Sequence, residues 1–304
     1  MRIRTVIAGL LLLAAAGCVA AEEFGKQVGA NLLAATGVVS HEQASSLIDA
    51  SVKISEAVQD LTPEQEHYLG RTVGATILHT YPLREDRQAT RYLNLLGQTL
   101  VKVSGATETF SGYHFVVLDT PEINAFAAPG GFIFVTRGML RLCKSEEMAA
   151  AVLAHEIAHV ELKHGLQAIK TSRLTSATTL LAVEGAKSAG SPEFKQLTAL
   201  FGESIRDAVT TLVDKGYSRS TELEADRTAV KILERSGYAG APLLTLLEAM
   251  ERTNQAQGGF AFLKTHPAPT DRLTELRAGY PEMPGVAPSL ESRRKRFIAA
   301  LGNV

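Results

Sequence analysis

The sequence has no tryptophan, only two cysteines and few aromatic residues, 6% in all. Two cysteines cannot build the disulfide framework of a small secreted scaffold. Charge of one sign is missing as well: 31 Lys and Arg stand against 32 Asp and Glu, a formal net charge of −1. That balance lacks the electrostatic footprint of a nucleic-acid binder, so no nucleic-acid partner is expected. With 25 glycines and 11 prolines in 304 residues, collagen-like and low-complexity classes are excluded. What remains is an ordinary globular composition, 45% hydrophobic and 21% charged, in a chain long enough to bury a sizeable core.

The N-terminal apolar run, Val6 to Ala16, is too short to cross a bilayer. As a helix it rises about 16 Å, roughly half the hydrocarbon thickness. Preceded by Arg2 and Arg4 and followed by small residues, it reads as a secretory signal over residues 1–21. Ala15-Ala16-Gly17 before Cys18 resembles the lipobox of bacterial lipoproteins, with Ala15 where leucine is usual. The resemblance implies acylation of Cys18 and membrane attachment through it; cleavage after Ala20 or Ala21 is the alternative. Either way the protein is expected to be exported to the periplasm, and Val19 behind an acylated cysteine favours the outer membrane. Cys143 is then left alone and reads as a small buried hydrophobe.

Residues 22–62 read as a peripheral helical segment. Thr62-Pro63-Glu64 combines a cap residue, proline and an acid, a helix start. Helical text follows to about Val103, with a break at Tyr81-Pro82. Two β-type runs come next, Tyr113 to Leu118 and Phe132 to Val135, joined by the turn-rich Asn124-Ala-Phe-Ala-Ala-Pro-Gly-Gly131. Ser145-Glu146-Glu147 is an N-cap followed by first-turn acids, and Gly165 is where that helix is expected to stop. Helix then dominates to Arg277, with a division at Ala189-Gly-Ser-Pro192. Pro281, Pro284 and Pro288 mark a linker to a basic C-terminal tail over residues 281–304, whose Arg293-Arg-Lys-Arg296 reads as a solvated face. The expected fold is therefore α+β, mostly helical, with a small mixed β-sheet preceding the Ser145 helix and a principal domain over residues 63–280.

The informative text is His155-Glu156-Ile157-Ala158-His159. Two histidines four residues apart share one helical face and can reach one metal ion. Glu156 lies about 100° around the helix, beside the ligands, where it can take a proton without occupying a coordination site. The face of His155 and His159 also carries Met148, Val152, Leu162 and Leu166, so it points inward, and buried imidazoles need polar partners. His164 reads as a cation near the helix C-terminus. A catalytic zinc takes three protein ligands. A third histidine in the pattern HExxHxxGxxH is excluded, because Leu162 and Gly165 hold the glycine and histidine positions. A glutamate from another helix remains, in Ser220-Thr-Glu-Leu-Glu-Ala-Asp226. Glu222 shares its face with Ala225, Asp226, Ala229 and Leu233, whereas Glu224 shares its face with Arg227, Lys231 and Arg235. Glu222 is thus the expected ligand. Asp226, one turn on, is placed to hydrogen-bond a ligating imidazole.

HExxH followed by Glu222-Leu-Glu-Ala-Asp226 resembles the HtpX-like, CAAX-prenyl-protease-type family of zinc metallopeptidases. Asn124 to Leu140 resembles its strand ahead of the HExxH helix, and His266-Pro-Ala-Pro-Thr-Asp-Arg272 its downstream His-Pro…Arg element. The resemblance implies a zincin-like fold, one Zn²⁺ per chain on His155, His159 and Glu222, and Glu156 as general base. It further implies His266 as an oxyanion donor or as a fourth ligand that silences the site, and Arg272 paired with Asp226 or Glu222. The soluble exported branch implies an endopeptidase for unfolded or misassembled envelope proteins. For such extended substrates Phe132 to Val135 is expected to be an exposed sheet edge, with Asn124, Gly130, Gly131 and Phe132 as contact positions. The alternative is a zinc-stabilised chaperone or assembly factor with little proteolysis, which an intact Glu156 disfavours.

Overall fold

Capping residues set most helix starts in the computed structural model, which describes residues 61–105, 109–171, 216–257, 266, 269–280 and 290–304 and scattered positions between 27 and 45. The signal segment, Cys18, most of residues 22–60, the Ala189–Pro192 division and the Pro281–Pro288 linker lie outside the described residues. The chain divides into two units, Met1–Asp60 with Ile169–Ala208, and Leu61–Ala168 with Val209–Val304. The elements below belong to the second.

Helix α1 (Pro63–Thr80) opens on a reciprocal capping box: Gln65 N donates to Thr62 Oγ1 and Thr62 N donates to Gln65 Oε1. Helix α2 (Arg87–Val101) starts at Asp86 and buries Ala89, Leu93, Leu96 and Leu100, a single stripe at helical spacing. Its Asn94 grips the first strand, donating from Nδ2 to Phe115 O at 2.6 Å and accepting from Phe115 N at 3.2 Å.

Strands β1 (His114–Leu118), β2 (Ala125–Ala128) and β3 (Phe132–Thr136) form a mixed sheet in the order β1-β3-β2, with β1 parallel and β2 antiparallel to β3. Two sequence expectations change here. The Asn124–Gly131 connection contains a strand: Ala-Phe-Ala-Ala has no β-branched residue to announce it, and pairing with β3 holds it extended. The segment Phe132 to Val135 is the central strand, hydrogen-bonded on both sides, so it is not a free edge. Buried Asn124 serves the sheet: its N donates to Thr136 Oγ1 at 3.0 Å, its O accepts from Thr136 Oγ1 at 2.8 Å, and its Oδ1 accepts from Ala125 N.

The turn from β2 to β3 places Gly130 at φ 73° and Gly131 at φ 95°, conformations open to glycine. The close approach it permits is taken up by the chain itself. A Cβ on Gly70 of α1 would lie 1.8 Å from Pro129 O, and one on Gly131 would lie 2.7 Å from Gly112 O. These glycines therefore seat the turn against α1 and the loop before β1.

The short helix α3 (Arg137–Leu142) leads to α4 (Glu146–Glu161), whose cap Ser145 accepts from Met148 N. Helix α4 stops earlier than the expected Gly165: Lys163, at φ 56°, takes the left-handed position and helix resumes at residue 164. Helices α5 (Arg219–Arg235) and α6 (Ala241–Gln257) pack on α4, and α7 (Pro269–Gly279) packs on both of them. Helix α8 (Glu291–Leu301) crosses the start of α4. Its basic run is largely solvated, with Arg293 the more buried member. Arg294 and Lys295 pair with Glu291 in solvent, but the Arg296 guanidinium clasps the buried carboxylate of Glu146, which Tyr92 and Tyr238 hydroxyls also reach at 3.0 and 2.8 Å. Among the described residues no helix is long and apolar enough to cross a membrane.

Gly70→Ala should lower stability by about 1–3 kcal/mol through overpacking, although alanine is the better helix former; the urea midpoint reads this directly. Burial pushes the Cys143 thiol up to about 12. It should therefore resist thiol reagents at pH 8 in native protein and react only on unfolding, as followed by mass spectrometry.

Candidate metal centre

Four buried side chains meet on one side of α4. His155 and His159 come from successive turns of α4, Glu222 from the first turn of α5, and His266 from the residues before α7; their ligand atoms lie within 4.8 Å of one another. His155 Nε2 and His159 Nε2 are 3.1 Å apart, and each lies 3.4 Å from an oxygen of Glu222. Bonds of 2.0–2.1 Å in tetrahedral array separate ligand atoms by about 3.3 Å, so these three donors have the spacing of a zinc site. Glu222 Oε2 is buried and accepts no hydrogen bond, its nearest cationic or imidazole neighbours being Arg272 Nη1 at 3.3 Å and His155 Nε2 at 3.4 Å, which leaves a lone pair for a metal ion. The structure brings Glu222 to the imidazoles and leaves Glu224 61% exposed.

Charge supports the same conclusion. Glu156, Glu222 and Asp226 are all buried, and Arg272, also buried, is the guanidinium that faces them. One divalent cation closes that balance. Arg272 donates from Nε and Nη2 to the Asp226 carboxylate and lies 3.3 Å from Glu222 Oε2, so it pairs with both acids. Asp226 Oδ1 is 3.0 Å from His155 Nδ1, an orientation that turns Nε2 toward the cluster. His266 Nδ1 lies 2.8 Å from Glu222 Oε1.

Burial works to raise the Asp226 and Glu222 carboxyls, yet neighbouring cations win. Arg272 and His155 hold Asp226 at about 2, and His266 and Arg272 hold Glu222 well below the usual range. Glu156 goes the other way: burial raises it, against the pull of His266 and His155. Burial lowers His159 to about 3. For His155, burial and Arg272 work downward, but hydrogen bonds to Asp226 and Glu222 prevail and lift it to about 9.

Two contributors escaped the sequence reading. His164, read as a terminal cation, is buried with its Nδ1 3.0 Å from His159 Nδ1. Tyr217, which carries no motif, stacks on the His159 ring at 4.3 Å. The role of His164 follows from the reversal at Lys163, which only the structure shows, and nothing in the sequence marks Tyr217. Of the candidate contact positions, Gly130 lines a small cavity with Ala127, Ala128 and His159, whereas Phe132 stacks on His114 and Gly131 abuts Gly112.

Below its pKa of about 9 His155 is protonated in protein stripped of metal, and a metal must displace that proton. Zinc titrated at pH 7.5 should release about one proton per ion, measured by calorimetry in buffers of different ionisation enthalpy. Heats independent of buffer would show His155 already neutral.

Residues 87–279 match peptidase family M48. The β-barrel assembly-enhancing protease of Escherichia coli (strain K12) is 30% identical over 228 residues, covering 73% of this chain and 45% of the relative. Its counterpart from Yersinia pestis is 29% identical over 220 residues, 71% of this chain and 44% of the relative. The mitochondrial metalloendopeptidase OMA1 of Schizosaccharomyces pombe is 30% identical over 194 residues, 64% of this chain and 53% of the relative. The chain thus spans about half the length of the curated relatives it matches. A family match across the sheet, the HExxH helix and the Glu222 and Arg272 helices coincides with the buried cluster, and the chain belongs to peptidase family M48.

Proposed function

We propose that this chain is an exported zinc metalloendopeptidase that cuts unfolded or extended polypeptides in the bacterial envelope. The observation that carries the reading is the convergence of His155, His159 and Glu222 on one buried point, with the separate carboxylate of Glu156 next to His155 on α4. In this reading the three hold one Zn²⁺, a donor set found where a coordination position stays open for chemistry. The ion supplies Lewis acidity, acidifying water and polarising a carbonyl. Glu156 takes the proton of the attacking water and delivers it to the leaving amine; burial, which raises its proton affinity, suits it to both halves of that task. His266, steadied by Glu222, donates to the oxyanion that develops on the carbonyl. Arg272 keeps Asp226 and Glu222 charged and in place.

The substrate strand is assigned to the outer edge of β2, unpaired among the described residues, where Ala127 and Ala128 lie beside His159. Pairing through backbone demands an extended segment and gives weak side-chain preference. The role named for the bacterial relatives, enhancing β-barrel assembly, supports misassembled envelope proteins as the substrate class. The signal-like text of residues 1–21 and the lipobox-like residues before Cys18 support export to the periplasm with attachment to the outer membrane.

Glu156→Gln should retain one zinc per chain and lose activity on an unfolded protein by roughly 10²–10⁴-fold. Metal analysis and cleavage assays with and without chelator check this. Undiminished cleavage by the variant would remove Glu156 from the mechanism.

A further inference from the structure

We infer that His164, backed by Glu224, is a positioning residue for His159, setting which ring nitrogen carries the proton and which is free for metal; the inference rests on the metal reading above. The two imidazoles of the cluster are supported differently. His155 has a carboxylate, Asp226, at its Nδ1. His159 has another imidazole: its Nδ1 lies 3.0 Å from His164 Nδ1, with both rings buried. Two nitrogens facing each other at that distance share one proton, so one ring donates and the other accepts. His159 Nε2 faces His155 Nε2 and Glu222, and a nitrogen that gives its lone pair to a metal carries no proton. The His159 proton is then on Nδ1, His164 Nδ1 accepts it, and the His164 proton is left on Nε2. That nitrogen makes no hydrogen bond and faces the partly solvated Glu224 carboxylate, with Oε2 3.6 Å away, as an electrostatic neighbour.

The backbone explains why this histidine is available. In a continuing helix, residue 164 would stand about 140° around from residue 159. Lys163 instead adopts φ 56°, a conformation that costs a β-carbon-bearing residue energy. The chain turns there and brings residue 164 back to the His159 ring. Lys163 is tied to Glu66 of α1 at 2.7 Å, and Tyr217 covers a face of the His159 ring. Stacking limits the tilt of that ring and His164 fixes its rotation in plane. Helix α5 thereby serves both ligands: Glu222 reaches the metal position, Asp226 orients His155, and Glu224 stands behind the partner of His159.

Zinc affinity by chelator competition separates positioning from packing. His164→Leu keeps the bulk and removes the acceptor, and should weaken zinc binding on the order of 10–100-fold. His164→Asn puts an amide oxygen near the Nδ1 position and should stay within a few-fold of wild type. If the leucine variant does not fold, ¹⁵N-histidine spectra of zinc-loaded wild type decide. A coupling across His159 Nδ1–H to His164 Nδ1 supports the inference, and a proton fixed on His164 Nδ1 overturns it. Leucine and asparagine variants that both bind zinc like wild type overturn it while leaving the metal reading intact. Wild-type protein that takes up no zinc overturns both.

Discussion

Burial of three carboxylates governs the construction of this domain. Glu156, Glu222 and Asp226 are stripped of water, and an uncompensated ion in such a place costs several kcal/mol. Compensation has to come from cations held at fixed points. One is Arg272, the largest fully buried side chain among the described residues; a divalent ion supplies the remainder. The packing of α5, α6 and α7 around α4 follows, because the acids and the guanidinium come from helices that must be brought within a few ångströms. A well-packed apolar core of equal volume would be at least as stable, so chemistry rather than stability accounts for the charges.

Helix α4 is fixed at both ends by polar devices that do not touch the metal position. At its start Ser145 caps the backbone, and Glu146 is held by Tyr92, Tyr238 and Arg296. At its end the left-handed Lys163 is anchored to α1. Between them the helix is buried along almost its whole length, so the imidazoles sit on a rigid element, which a site needs if its geometry is to hold within fractions of an ångström.

Much of this was legible in the sequence because it is local. The spacing of His155 and His159 is a helix period, the contrast between Glu222 and Glu224 is a contrast of helix faces, and Thr62 and Ser145 are caps that act on their own backbone. What stayed hidden depends on partners remote in sequence. Ala125–Ala128 becomes a strand because β3 offers it a ladder. Phe132–Val135 reads as a strand, but nothing local says that both its sides are paired. His164 looks like a helix-end cation until the reversal at Lys163 is known, and within the solvated run Arg293–Arg296 only Arg293 is drawn largely out of solvent, while Arg296 reaches the buried Glu146 from an exposed position.

The clasp of Arg296 on Glu146 and the pairing of Arg272 with Asp226 also impose an order in time. Both arginines emerge from the ribosome long after the helix that carries the imidazoles. A growing polypeptide therefore holds the HExxH helix without the groups that steady it or neutralise its acids. The buried cluster cannot assemble until the last helices have been made and docked, so every shorter intermediate of synthesis lacks the complete site.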